Sequence, residues 1–289
     1  MGEKRNLNTG PNIKVVTSNN FITACGLEKI SLKARKLLCL ANSQCRITDK
    51  EFYEYTVTIQ EFADIMGIDS SNLYKEADKI TDELMNSFIR VEGIEVRKYP
   101  LFDMCYYNKS YIGFEICKKM TDFLLELKKN FTQVLLDDLV RMRSQYSMAI
   151  WHLMQREMHS KKPGVTDVVQ FELSLEELRL VTGTQSKFRQ VGQFKEKVLD
   201  KAIREIKENC GVLITYKNLK QGKTIIGFRF TAISQTHIDE EKIPQSVKDR
   251  ARMFEIKQQS KGREMTEKEK AEYDRLTDGA EQLSLDDYF

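Results

Sequence analysis

The chain predicts an α+β fold: two tandem winged helix-turn-helix domains from an internal duplication, followed by a charged helical or disordered C-terminal tail. Three observations carry this. In residues 193–210, Phe194, Val198, Leu199, Ala202, Ile203 and Ile206 recur at helical spacing and lay an apolar face along one helix. Beyond Gly211 the period drops to two as far as Ile233, around a Lys220-Gln221-Gly222-Lys223 turn, which marks a hairpin. Finally, Thr58 to Gly67 (TIQEFADIMG) matches Ser174 to Gly183 (SLEELRLVTG) in pattern without a gap. Each copy follows an amphipathic helix and precedes a longer helix and a hairpin; a period of about 115 residues is a duplicated domain rather than a solenoid unit.

A length of 289 residues suits two domains plus appendages, and a 41% hydrophobic content supplies their cores. There is no secretory apolar run behind a basic start and no apolar stretch of membrane-spanning length. Neither export nor membrane insertion is indicated, so the protein is expected to be cytoplasmic. Six cysteines without a C-x-x-C pair, beside only three histidines, point to reduced thiols and to no metal site.

The net charge of +3 is unevenly spread. Residues 1–140 hold 19 basic and 20 acidic side chains, residues 141–233 hold 17 and 9, and residues 234–289 hold 10 and 14. The cationic excess therefore belongs to the segment with the helix and hairpin, as a DNA-binding surface requires.

In chain order, residues 1–14 are polar and broken by Asn8, Gly10 and Pro11, and read as a flexible N-terminus. The first winged-helix domain is assigned to 15–125. Val15 to Ile22 is a short strand or extended arm, and Ser31 caps a helix that buries Leu32, Leu37, Leu38 and Leu40. Val57 and Ile59 mark a strand; Thr58 caps a helix ended by Gly67; Asp69 or Ser70 opens a second helix with Leu73, Tyr74, Ala77, Ile80 and Leu84 inward. Residues 94–108 and 110–116 are then two strands around an Asn108-Lys109 turn.

Residues 120–160 read as helix with a short break near 130–132, so 126–143 is predicted to be a linking helix and 144–236 the second winged-helix domain, the main DNA reader. Residues 237–289 form the charged tail. In it, 246–259 and 266–276 carry helix signals, the latter with a Thr266/Glu269 capping box.

The two copies differ in charge. The helix from Asn72 to Leu84 presents Glu76, Asp78, Asp82 and Glu83 beside only Lys75 and Lys79, a poor surface to set against phosphates. The first domain is therefore read as a partner surface or a weaker backbone contact.

Taken together, residues 14–233 resemble the two-winged-helix plasmid replication initiators, the Rep proteins that bind short direct repeats called iterons. The resemblance rests on the run from Val15 to Ile22 before the first leucine-rich helix, and on the Thr58 to Gly67 helix with Leu73-Tyr74 after it. It is strongest in the second copy, in Ser144, Tyr146, Leu175 to Leu178, Lys187-Phe188, Phe194-Lys195, Val198 to Ala202, Glu205-Ile206 and Gly222-Lys223 before Gly227-Phe228. It implies that the second domain reads the iteron through the start of its third helix, while the first touches backbone and mediates a homodimer. In such families monomers initiate replication and dimers repress their own promoter.

Candidate DNA contacts are Lys187, Arg189, Gln190, Gln193, Lys195 and Lys197 in the loop and first turns of the helix, with Arg204 farther along. Arginine and lysine can pair guanine, glutamine can pair adenine, and a helix N-terminus favours phosphate. Lys217, Lys220 and Lys223 on the wing suit phosphates, whereas Arg229 lies farther down the ribbon; Arg141 and Arg143 precede the second domain.

His152 and His159 are two helical turns apart, too far for the i, i+4 pairing of H-E-x-x-H, and read as core or surface residues. No phosphate-binding G-x-x-x-x-G-K-[ST] loop occurs, nor the paired histidines of nicking enzymes. No catalytic residue, metal or cofactor is expected. The terminal Gln282, Leu283, Leu285, Tyr288 and Phe289 resemble a sliding-clamp peptide, with Asp286 and Asp287 delaying the aromatic pair.

The function implied is an initiator that binds origin DNA, helps open it and recruits host replication proteins such as a helicase, loader or sliding clamp. The rival is a dimeric winged-helix transcriptional regulator without initiation activity.

Overall fold

A computed structural model describes residues 4–6, 12–46, 49–92, 94–125, 127, 129–160, 168–234, 252–253, 256, 260 and 264–281. In chain order the first part contains β1 (Lys4–Asn6), β2 (Lys14–Ser18), α1 (Asn19–Thr23), α2 (Leu32–Gln44), β3 (Glu54–Thr58), α3 (Ile59–Met66) and α4 (Ser70–Met85). Four strands follow: β4 (Phe88–Val91), β5 (Arg97–Pro100), β6 (Phe102–Tyr107) and β7 (Tyr111–Ile116). Next come α5 (Thr121–Leu124), β8 (Phe131–Leu135), α6 (Leu136–Arg141) and α7 (Gln145–Ser160).

The second part contains β9 (Val168–Ser174), α8 (Leu175–Thr182), α9 (Val191–Phe194), a π-helical turn over Lys195–Leu199, α10 (Asp200–Cys210), β10 (Val212–Gln221) and β11 (Thr224–Ser234). The tail adds α11 (Glu267–Glu281).

The duplication is visible in the backbone. Thr58 accepts a hydrogen bond from the Glu61 amide and completes a capping box, and Ser174 accepts from the Glu177 amide in the same position. The two short helices end on Gly67 (φ 65°, ψ 38°) and Gly183 (φ 62°, ψ 34°), a left-handed cap that glycine adopts without a Cβ penalty. Asp69 caps α4.

In each copy the strand before the helix pair joins the second strand of the wing. β3 pairs antiparallel with β7, β9 with β11, and the sheets run β1-β3-β7-β6 and β10-β11-β9. The expected first wing is split: β4 and β5 make their own hairpin and the chain turns at Leu101 before β6. Asn108 makes the wing turn by accepting from the Ser110 and Tyr111 amides.

Two expectations are overturned. The linking helix predicted over 126–143 is a strand and a short helix, β8 and α6, because Thr132 and Val134 alternate inward and pair with β2, Ser18 opposite Phe131. Thr132 also donates its hydroxyl to Asn19 at 2.8 Å. Nor is the whole of 1–14 loose: Lys4 to Asn6 pair in parallel with β3, whose edge backbone groups would otherwise lack partners.

A single apolar core runs through both units, from Leu37, Phe62, Leu73 and Phe114 through Leu139 and Met142 to Trp151, Phe171, Phe194 and Phe230. At about 1.5–3 kcal/mol for each large side chain buried, this continuity is what sets the two winged helices on one support. Trp151 anchors α7 to α6 by donating to Asp138 at 3.3 Å. In the tail, Thr266 and Glu269 form the reciprocal cap at the start of α11; most of the helix expected over 246–259 lies outside the described residues.

Candidate nucleic-acid interface

The second helix-turn-helix is assembled around a loop that has no regular structure of its own. After Gly183 the chain runs through residues 184–190, with Phe188 at φ 51°, into α9. Carbonyls in such a segment need donors from elsewhere. Arg179, one turn before the end of α8, provides them. Its Nη1 donates to the carbonyls of Thr184 (2.9 Å) and Lys187 (3.0 Å), and its Nη2 to those of Phe188 (2.8 Å) and Arg189 (3.2 Å). The guanidinium also lies 4.9 Å from the centroid of the Phe194 ring, and desolvation lowers its pKa from the ordinary arginine value.

From this loop the helix proceeds with Phe194, Val198, Leu199, Ala202, Ile203 and Ile206 all buried, the face that the spacing predicts. The π turn at Lys195–Leu199 adds a wider turn between α9 and α10, a feature frequent at functional sites. Behind it, the Tyr216 hydroxyl donates to Asp200 at 2.7 Å, tying β10 to the helix; burial, then the Asp200 charge, push the Tyr216 pKa up.

Lys187, Arg189, Gln190 and Gln193 are exposed together at the loop and first turn. Lys195 is half-buried: its Nζ lies 5.2 Å from the Tyr216 ring centroid and 3.4 Å from Asn218 Oδ1, so it leans on the wing strand. Lys197 pairs with Glu196 at 2.9 Å, and Arg204 is exposed farther along. On the wing, Lys217, Lys220 and Lys223 are exposed around Gly222 (φ 60°), with a bulge between Leu219 and Lys220. Arg229 is bound to Glu172 of the neighbouring strand at 2.8 Å.

Arg141 and Arg143 precede α7 and are engaged by other groups. Arg141 pairs with Asp137 at 3.2 Å, and the Arg143 amide donates to Glu205 at 3.2 Å. Glu205 adjoins Arg204, the candidate contact farthest along the helix. The acidic face expected on α4 is also partly consumed. Glu76 pairs with Lys33 at 2.6 Å, Glu83 accepts from the Ser31 amide and hydroxyl at 2.6 Å, and Asp78 accepts from Tyr107 at 2.9 Å.

His152 is buried in α7, where desolvation and then the Arg35 charge hold its pKa near 3; His159 is exposed. Among the described residues no group of His, Cys, Asp or Glu is placed to hold a metal ion, and no helix is long and apolar enough to cross a membrane. Gln282, Leu283, Leu285, Tyr288 and Phe289 lie outside the described residues.

Arg179, the Tyr216–Asp200 bond and the π turn escape a reading of the sequence. An arginine four residues before a capping glycine is the only cue to the first; the π turn leaves none.

Two family models match consecutive parts of the chain: the WH1 domain of initiator replication proteins over residues 14–155 and the WH2 domain over residues 174–232. The chain belongs to the initiator replication protein family. This initiator-family chain is 24% identical over 189 residues to a replication initiation protein of Escherichia coli, a match covering 64% of the chain and 56% of that relative's length. The chain thus spans little more than half of that relative. Its fold is shared with a crystal structure of the Pi initiator protein in complex with iteron DNA, with a TM-score of 0.67 and 18% identity over 79% of this chain and 100% of that one.

Proposed function

We propose that the chain is a plasmid replication initiator: it binds repeated double-stranded DNA sites at an origin, helps open the adjacent duplex, recruits host replication proteins and represses its own promoter. The observation that carries this reading is the exposed set Lys187, Arg189, Gln190 and Gln193 at the start of one helix, beside a wing whose tip presents Lys217, Lys220 and Lys223. Side chains at a helix start reach base edges in a major groove, while wing lysines meet phosphates without regard to sequence. The family membership and the fold shared with an initiator bound to iteron DNA support it.

The second winged helix is the main reader, and the first provides a homodimer surface and backbone contact. Binding and remodelling of duplex DNA, not catalysis, is the activity. Bending a site costs about 1–6 kcal/mol, which added protein contacts offset.

The test begins by selecting duplexes from a randomised pool with the full chain. Tandem copies of the selected site are then placed beside an AT-rich stretch on a supercoiled plasmid and probed with permanganate. Reactive thymines in the AT-rich stretch are expected on addition of protein. A closed duplex, with selection of inverted sites bound by a dimer, would instead identify a transcriptional regulator.

A further inference from the structure

We propose that Arg179 is the positioning residue of this interface: it locks the loop between α8 and α9 into the one shape that presents Lys187, Arg189 and Gln190 to a duplex. The inference rests on the DNA-binding reading above and adds a residue that touches no base itself.

Within the six residues 184–189, four carbonyls accept from this one guanidinium, at 2.8–3.2 Å. Two of them belong to Lys187 and Arg189, the residues whose side chains face outward. The backbone of Lys187 and of Arg189 is thus held by Arg179 while both side chains stay exposed, and Gln190 follows directly. Between them Phe188 sits at φ 51°, a left-handed conformation that costs a non-glycine residue about 1–3 kcal/mol and persists only when its surroundings enforce it. Its carbonyl makes the shortest of the four bonds.

The guanidinium carbon of the same side chain lies over the Phe194 ring, 4.9 Å from its centroid, so one group touches both the loop and the first helical turn. A planar fork is needed for this. A lysine ammonium offers three divergent donors and no plane to stack, so it cannot span the carbonyls and cover the ring at once. Among its contacts in the described residues there is no carboxylate. The charge is therefore balanced by carbonyl dipoles within the loop.

The bland alternative is that Arg179 only staples the fold; stability and all DNA binding would then fall together. The two are separated with Arg179→Lys and Arg179→Met in the full chain. Melting temperature, affinity for a selected repeat and affinity for a random duplex are measured over a range of salt. Arg179→Lys is expected to weaken the repeat by about ten- to a hundredfold, the scale of losing charged hydrogen bonds, with binding to random duplex little changed. In Arg179→Met the slope of log affinity against log salt is expected to stay that of the parent.

Equal loss on both duplexes, no loss in Arg179→Lys, or a slope reduced by about 0.9 in Arg179→Met would overturn the proposal, the last by revealing a direct phosphate contact. Amide exchange of Lys187 and Phe194 without DNA is expected to accelerate in Arg179→Lys. That measurement judges the latch even if the parent chain fails to prefer the repeat, an outcome that would sink the DNA-binding reading alone. Unaltered exchange would sink the latch. Should Arg179→Met not fold, Arg179→Lys still decides.

Discussion

Glu28 of the first winged helix lies over Gly183, the left-handed cap of α8 in the second, so closely that a Cβ on Gly183 would fall 2.4 Å from Glu28 Cγ. Its counterpart Gly67 has nothing within 4 Å of that position. Both glycines share one backbone conformation, so their difference is the neighbour alone. Gly67→Ala is expected to cost about 1 kcal/mol, from backbone strain. Gly183→Ala is expected to cost more, and combining it with Glu28→Gly, which removes both crowding side-chain carbons, to cost less than the sum, with a coupling of about 0.5–3 kcal/mol. Urea unfolding of the four proteins of the cycle measures it; strict additivity would mean that the contact is not made in solution.

Tyr216→Phe removes the hydroxyl that joins β10 to Asp200. A hydrogen bond to a charged group is worth about 1.5–3 kcal/mol, so a stability loss of that order is expected in denaturant titrations. An unchanged midpoint would show that the hydroxyl adds nothing to the hold of wing on helix.

Wing and helix should respond differently to mutation. Lys223→Ala is expected to weaken all duplexes about equally and to lower the salt slope, which should be near −5 for about five or six neutralised phosphates in the parent, by about 0.9. Arg189→Ala or Gln193→Ala is expected to cost about 1–3 kcal/mol and to relax preference at one base position. Anisotropy titrations against single-position site variants read both effects, and identical sequence-blind losses would refute the division of roles.

Acid should destabilise the protein partly through His152. Its folded pKa near 3 lies below the ordinary value of 6.5, so the unfolded chain binds the proton first as pH falls. The stability it contributes is complete above about pH 6.5 and is lost as pH drops towards 3, with a limiting slope of about 1.4 kcal/mol per pH unit. His152→Gln is expected to flatten the unfolding free energy between pH 6.5 and 4 relative to the parent. Parallel curves would show the imidazole to be solvated.

What could be read beforehand was local chemistry. Thr58, Ser174, Asp69, Gly67, Gly183 and Gly222 act within a few residues of themselves, and the apolar stripe from Phe194 to Ile206 needs only the helical repeat. What escaped was set at a distance. Residues 131–135 become a strand because β2, more than a hundred residues upstream, offers its edge; Lys4 to Asn6 become one because β3 does. The candidate contacts were legible as charge and position. Their support was not, since Arg179 acts on carbonyls that every residue carries.

The wide turn at Lys195–Leu199 is a phase shifter. One additional residue in a helix rotates everything before it by about 100° relative to an uninterrupted spiral. A one-residue insertion or deletion there would swing Gln190 and Gln193 to a new azimuth relative to Ala202, Ile203 and Ile206, and would carry the buried Phe194 out of register with them. The bearing of the exposed loop side chains against the buried stripe of α10 is therefore fixed by this turn, and it cannot be altered there without disturbing Phe194 beneath the loop.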